Sequence, residues 1–345
     1  MDSFLGAQLK LMPEMSDLLQ KRYRILQTIQ LTKGIGRRVL GEQLSLTERE
    51  TRKELDALRT QGLIEVSREG ASITAEGNEV LTELKEVVRL WSGRSQMELM
   101  LKKYLNIKDV IIVPGNVDND TNTSMLLSQE AAKYLESILL NEHIIAVTGG
   151  STIASISHAM TESSRWKDLL FIAARGGVGK DVRLQANTIA SLFASKMNGS
   201  YRTLYIPDRL SEEAYMTMKK EPFIQEMMDL YERTNIIIHG IGDALEMAKR
   251  RNSSDEEIEL LRSRGAVSES FGYYFNNQGE AVHHIRTIGV QLNQLQHIEH
   301  LLAVAGGAKK ANALISYFKQ APLQTVLVTD EGAANEMMKV IPKNI

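Results

Sequence analysis

The apolar positions of this chain follow two different rhythms. Over residues 20–105 they recur at helical spacing with one short β-type interruption; from about residue 108 onward β-branched runs alternate with helical stretches. The runs are DVIIVPG (109–115), HIIAVTGG (143–150), LLFIAARGG (169–177), TLYIPD (203–208), NIIIHGIGD (235–243), HLLAVAGG (300–307) and TVLVTDEG (325–332). Each ends in a Gly, Pro or Asp turn, and most lead into a helix. Strands that are apolar throughout, rather than at alternate positions, belong to a parallel sheet covered on both faces. The pattern predicts a doubly wound, Rossmann-like α/β domain, whose ligands sit outside the carboxyl ends of the strands, where these turns gather.

The N-terminal part reads differently. Leu19, Tyr23, Leu26 and Ile29 mark a buried helical stripe over 18–31. Residues 35–66 predict two more helices around a tight turn at Ser45–Leu46, the second opened by a Thr47 cap with Glu50 placed to complete a capping box. Leu55 and Leu58 face the core, which leaves Arg49, Thr51, Arg52 and Lys53 outside. GLIEVSREGASITAEG (62–77) predicts a β-hairpin with its turn near Glu69–Gly70. Together these elements make a winged helix-turn-helix with 48–61 as the recognition helix in a DNA major groove. The candidate DNA contacts are Arg37, Arg38, Thr47, Arg49, Thr51, Arg52 and Lys53, the first two on backbone phosphates. Val80, Leu84, Val87 and Trp91 then outline either a short coiled-coil seam that would hold two heads in register or a plain packing helix. The predicted domains are 1–78 for the head, 79–106 for linking helices and 107–345 for the α/β domain.

Charge sharpens the picture locally. The whole chain of 345 residues has a formal charge of −2, but between 21 and 59 ten Lys and Arg face five Asp and Glu, a net of +5. Such a patch supplies sequence-independent attraction to phosphates. The alternative is a winged-helix protein-interaction module whose charges form a solvated face. The absence of cysteine excludes disulfides, Cys-ligated zinc, iron–sulfur clusters and thiol catalysis, and suits the cytosol. With neither a signal-peptide pattern nor an apolar run long enough to span a bilayer, the expectation is a soluble, cytoplasmic protein without a membrane partner.

Four turns of the α/β half carry anion-binding chemistry. Gly149, Gly150, Ser151 and Thr152 join a strand to a helix, where backbone amides and hydroxyls can hold a phosphate. They form neither a Walker A motif nor a dinucleotide fingerprint. ARGGVGKDVRLQAN (174–187) brings Arg175 and Gln185, GIGDALEMAKRRN (240–252) brings Arg250 and Arg251, and AVAGGAKKANAL (303–314) mirrors the first turn and sets Lys310 at a helix start. Tight-turn geometry and helix-end capping would explain each one singly. On one sheet edge they suggest more than one phosphate, with Glu269 as an acceptor for a sugar hydroxyl. No nucleophile elbow or metal-ligand cluster is present, and His283, His284, His297 and His300 read as surface histidines. The expectation is no catalytic residue, no metal and no cofactor.

These motifs resemble the SorC family of bacterial transcriptional regulators over nearly the whole chain. QKRYRILQTIQL…GRR, AVTGGSTI, ARGGVGKDV…QANTIA, HGIGDALEMAKRRN, AVSESFGYYFN and VLVTDEGAA carry the resemblance. It implies an operator-binding winged helix on a sugar-phosphate-sensing domain similar in fold to glucosamine-6-phosphate deaminase and ribose-5-phosphate isomerase. The branch these motifs point to represses an operon of lower glycolysis and is relieved by fructose 1,6-bisphosphate, working as a homo-oligomer, dimer or tetramer. Carried onto matching positions, the resemblance implies an effector site of Gly149, Gly150, Ser151, Thr152, Arg175, Gln185, Arg250, Arg251, Glu269 and Lys310. Ser151 departs from the Thr common in relatives but keeps the hydroxyl. The competing reading is a sugar-phosphate isomerase or deaminase, which would need a base over the sugar carbons and would have no use for a DNA-binding head.

Overall fold

The computed structural model describes residues 11–32, 34–179 and 181–341, which divide into two compact units with the boundary between Met97 and Glu98. In the first, helix Pro13–Thr32 buries Tyr23, Ile25, Leu26 and Ile29. Helices Arg37–Leu44 and Glu48–Thr60 follow, joined through Ser45 in the left-handed conformation at φ 54°. The Thr47 hydroxyl accepts from the Glu50 amide while the Glu50 carboxylate accepts from the Thr47 amide at 3.0 Å, so the capping box forms as the spacing predicts. Strand β1 (Ile64–Ser67) pairs antiparallel with β2 (Gly70–Ile73) as the wing, and Ile35 bridges to Ala71 beside it.

One assignment in this unit is overturned. Thr51 is buried, and its hydroxyl donates to the Thr47 carbonyl at 2.9 Å. The inner stripe of the third helix is Thr51, Glu54, Leu55 and Leu58, so Thr51 packs in the core and cannot meet DNA. Glu54 is buried because Arg22, at 2.8 Å, and Lys21, at 3.8 Å, neutralise it and tie the first helix to the third. Helix Ala75–Trp91 buries Leu81 and Val88 in the same core, with Val80 and Leu84 packed against it. Two members of the expected seam are thus engaged by the winged helix itself, which favours the packing-helix alternative.

The second unit contains β3 (Asp109–Val113), β4 (Ile144–Val147), β5 (Leu170–Ala173), β6 (Ser200–Arg202), β7 (Ile236–His239), β8 (Gly242–Asp243), β9 (Ala266–Ser270), β10 (Tyr273–Asn276), β11 (Ala281–His284), β12 (His300–Val304) and β13 (Thr325–Asp330). Seven of them build a parallel sheet in the order β3-β13-β12-β7-β4-β5-β6. Successive side chains point to opposite faces of a strand. Ile145, Val147, Ile236 and Ile238 therefore enter one core with Ile153 and Phe193, while Ile144, Ala146 and Ile237 enter the other with Ile224 and Tyr231. This is the doubly wound sheet that the uninterrupted apolar runs predict.

Two features differ from that reading. TLYIPD is not a strand: the ladder stops at Arg202 and residues 203–211 are irregular. Leu204 is buried there in the core with Ile224 and Tyr231, and the Asn187 amide accepts from its N–H at 2.7 Å and donates to its carbonyl at 3.1 Å. The second is an antiparallel sheet of order β11-β10-β9-β8. Its central strand β9 buries Ser268, Glu269 and Ser270, so no apolar run announces it. Among the described residues no helix is long and apolar enough to cross a membrane.

Candidate functional site

β4 and β7 lie side by side, but the chain leaves β4 toward β5 and reaches β12 from β7, on the other flank. Such a switch point opens a crevice at the carboxyl ends of the strands. A cavity of about 510 Å³ sits there, within the usual range for small-molecule sites. Gly149, Gly150, Ser151, Thr152, Arg175, Gln185, Arg250, Arg251, Glu269 and Lys310 all line it, so the structure brings the whole expected set together.

Among the described residues, the turn after β4 leaves backbone amides unpaired at the cavity. Gly150, at φ 115°, is the N-cap of helix Ser151–Ala159 and offers no side chain to its amides. Its own N–H is held by the Leu184 carbonyl at 2.8 Å, and the first intrahelical bond runs from Ala154 to Gly150. The amides of Ser151, Thr152 and Ile153 are therefore left for a ligand at the positive end of the helix dipole.

The four cations do not stand equal. Arg175 and Arg251 belong to a buried box with Asp208 and Glu269, every side chain 5–7% exposed. Arg251 meets Asp208 at 2.9 Å, Glu269 at 2.8 Å and the Tyr274 hydroxyl at 3.1 Å. Arg175 pairs with Asp208 and lies 3.4 Å from Glu269. A Cβ at Gly272 would stand 2.6 Å from the Arg175 guanidinium, so this position needs glycine for space as well as for its φ of 83°. Burial works against the Arg251 charge, but Glu269 and Asp208 overcome it and hold the guanidinium protonated. Burial likewise pushes the Glu269 carboxyl up, and Arg251 and Arg175 bring it below its ordinary value. Two positive and two negative charges thus cancel within the wall.

Arg250 and Lys310 make no ion pair among the described residues and are the cations left for a ligand. Lys310 is half-buried, and desolvation, followed by its neighbour Arg250, lowers its pKa. An incoming anion would relieve both effects.

Two expectations about the site need correction. Glu269 is not simply a free acceptor, because its Oε1 takes the Gly272 amide at 2.7 Å as well as both arginines. The second Gly-Gly turn does not mirror the first. Gly307 donates to both Asp330 oxygens at 3.0 Å and Lys309 N–H donates to Asp118 at 3.1 Å, so carboxylates already satisfy it. Nor are the histidines all superficial: His283 pairs with Glu257 at 3.1 Å and His300 with Glu299 at 3.3 Å.

Sequence reasoning missed Asp208 and His239. Asp208 closes the TLYIPD run, but nothing local couples it to Arg251, 43 residues away. His239, at the end of β7, is fully buried against Phe271 and Tyr317, and burial pushes its pKa down to about 4. It is neutral near pH 7 and adds no charge beneath the cavity.

In the first unit Arg49, Arg52 and Lys53 are exposed on the third helix, while Arg37 pairs with Glu48 at 2.9 Å and Arg38 with Glu42 at 3.0 Å. The Thr47 hydroxyl is committed to Glu50 at 2.6 Å. Replacing Arg37 and Arg38 by Ala should weaken DNA binding similarly on all sequences. Each lost phosphate contact should flatten the log–log salt dependence by about 0.9. Arg49, Arg52 or Lys53 substitutions should instead change sequence preference. Filter binding across a salt series on operator and random duplexes separates the two, and an unaltered slope in the double variant would contradict the head's orientation.

Comparison with known proteins agrees with this division of labour. Residues 18–88 match the family model of the CggR N-terminal DNA binding domain, and residues 91–339 match that of a sugar-binding domain. The chain is 41% identical over 339 residues to the central glycolytic genes regulator of Bacillus subtilis, covering 98% of this chain and 99% of that protein. The regulator of the same name from Priestia megaterium is 41% identical over 340 residues, with 98% and 99% covered. The crystal structure of a SorC family transcriptional regulator from Enterococcus faecalis is 42% identical with a TM-score of 0.66, covering 70% of this chain and 99% of that one. The fold and site are those of a sugar-binding transcriptional regulator. The chain belongs to the SorC family and, within it, to the group of the central glycolytic genes regulators.

Proposed function

We propose that the protein represses a glycolytic operon and releases its operator when fructose 1,6-bisphosphate enters the cavity of the second unit. The observation that carries this reading is the convergence of an uncapped helix N-terminus, Arg250 and Lys310 on one cavity, in a chain that also bears a basic winged helix. The names of the 41% identical relatives supply the glycolytic context. One phosphate lies on the amides of Ser151–Ile153. The other draws on Arg250 and the arginine box, and Gln185 and Glu269 address the sugar. The repressor acts in the cytoplasm as a homo-oligomer, dimer or tetramer, which presents two heads to a two-fold operator.

The test is a mobility shift on the operator of the glycolytic operon with rising fructose 1,6-bisphosphate, and fructose 6-phosphate as the control. Release by the bisphosphate at concentrations where the monophosphate has no effect supports the reading. Equal release by both, or none by either, would overturn it.

A further inference from the structure

The two carboxylates of the box are held very differently. Glu269 lies inside β9, laddered to β8 and β10, and lines the cavity. Asp208 lies behind the arginines, outside the cavity lining, in the irregular segment 203–211. That segment belongs to no sheet ladder, although Leu204 and Leu210 are buried, Gly177 N–H donates to the Ile206 carbonyl at 3.2 Å and Asp208 N–H donates to the Gly177 carbonyl at 3.3 Å. Pro207 bridges to Gly177, Leu210 N–H donates to the Arg286 carbonyl at 3.0 Å, and Asn187 grips Leu204. Its tie to the box is Asp208, which accepts from Arg251 at 2.9 Å and forms an ion pair with Arg175. The next residue, Arg209, reaches outward to Glu257, which also meets His283. Tyr205, 80% exposed, stands on the same segment.

Arg175 and Arg251 therefore stand between the cavity on one side and Asp208 on the other. An anion arriving in the cavity draws on the same two guanidinium charges that hold Asp208. Arg250 and Lys310 meet part of the new charge, but the anion still competes with Asp208 and Glu269 for Arg175 and Arg251, and the carboxylate outside a sheet ladder is the one that yields. Glu269 is fixed by its ladder and by the Gly272 amide, so it stays. We propose that segment 203–211 is the switch element of this site: filling the cavity slackens the grip of Arg175 and Arg251 on Asp208 and frees the segment. The proposal rests on the effector reading given above and adds how occupancy leaves the cavity. Coupling of this kind is reciprocal, so loosening Asp208 must strengthen effector binding by the same factor.

Hydrogen exchange on the full-length protein, with and without saturating fructose 1,6-bisphosphate, tests this without any substitution. The expected result is slower exchange at the amides of 151–153, which reports occupancy, with opening of 203–211 increased by about tenfold. Protection at 151–153 with 203–211 unchanged or also protected would overturn the switch while leaving the effector reading intact. No change in either region would overturn both. Asp208→Asn provides the second measurement. Calorimetric titration should show the bisphosphate bound about tenfold more tightly than by the natural protein. A residue with a merely structural role would not tighten binding when lost, so unchanged or weaker binding would overturn the proposal.

Discussion

Arg251→Ala is expected to lower the melting temperature of the second unit by roughly 10 °C. The argument is electrostatic. Arg251 is 5% exposed and is shared by Asp208, Glu269 and the Tyr274 hydroxyl. Removing one partner of a buried ion pair leaves uncompensated charge and costs about 3–5 kcal/mol. In a unit of this size each kcal/mol moves the midpoint by about 2–4 °C. The pH dependence identifies the cause. Glu269 is held below its ordinary pKa in the natural protein, so its contribution is complete above the unfolded value and is lost as pH falls through the lower folded value. In the variant, burial without Arg251 favours the protonated acid. The difference in melting temperature between the two proteins should therefore narrow below about pH 4. A constant difference from pH 7 to pH 3, measured by calorimetry, would assign the loss to packing instead of charge.

Arg250→Ala should fold normally yet respond to fructose 1,6-bisphosphate only at roughly 10- to 100-fold higher concentration. Arg250 is exposed at the end of helix Ala244–Arg250, lines the cavity and is tied to no carboxylate among the described residues, so its removal strands no buried charge. What it loses is a charge-assisted bond to a phosphate, about 1.5–3 kcal/mol. Operator binding should be retained while release is shifted. Thermal stabilisation gives the same information without DNA, because a ligand raises stability in proportion to the logarithm of its concentration over Kd. The natural protein should be stabilised far more by fructose 1,6-bisphosphate than by fructose 6-phosphate at equal concentration, and Arg250→Ala should erase most of that difference. A variant still released at the natural concentration would remove Arg250 from the site.

The contrast between these adjacent arginines shows what can be read along the chain. RRN at 250–252 offers two equivalent cations. Folding turns Arg251 into the wall to neutralise Asp208 and Glu269 and leaves Arg250 at the opening. The recognition helix makes the same point, since Thr51 is polar and looks outward in a hydrophobicity pattern. Only its partners, the Thr47 carbonyl and the core beside Leu55, place it inside.

The sequence by itself determined what depends on near neighbours. The capping box of Thr47 and Glu50, the wing turn beside Gly70, the buried parallel strands and the glycine N-cap at Gly150 each arise from residues a few positions apart. Steric limits on φ, satisfaction of first-turn amides and the rhythm of apolar burial act at that range. The tertiary structure alone decided the partners of charges. Arg175 meets Glu269 across 94 residues, β9 buries a polar run because Arg251 and Gly272 satisfy Glu269 while Ser316 and Gly240 satisfy Ser268 and Ser270, and the ladder of β6 ends where Asn187 takes over. Burying a charge depends on a partner that only the completed fold brings within reach, so no periodicity in the chain records it.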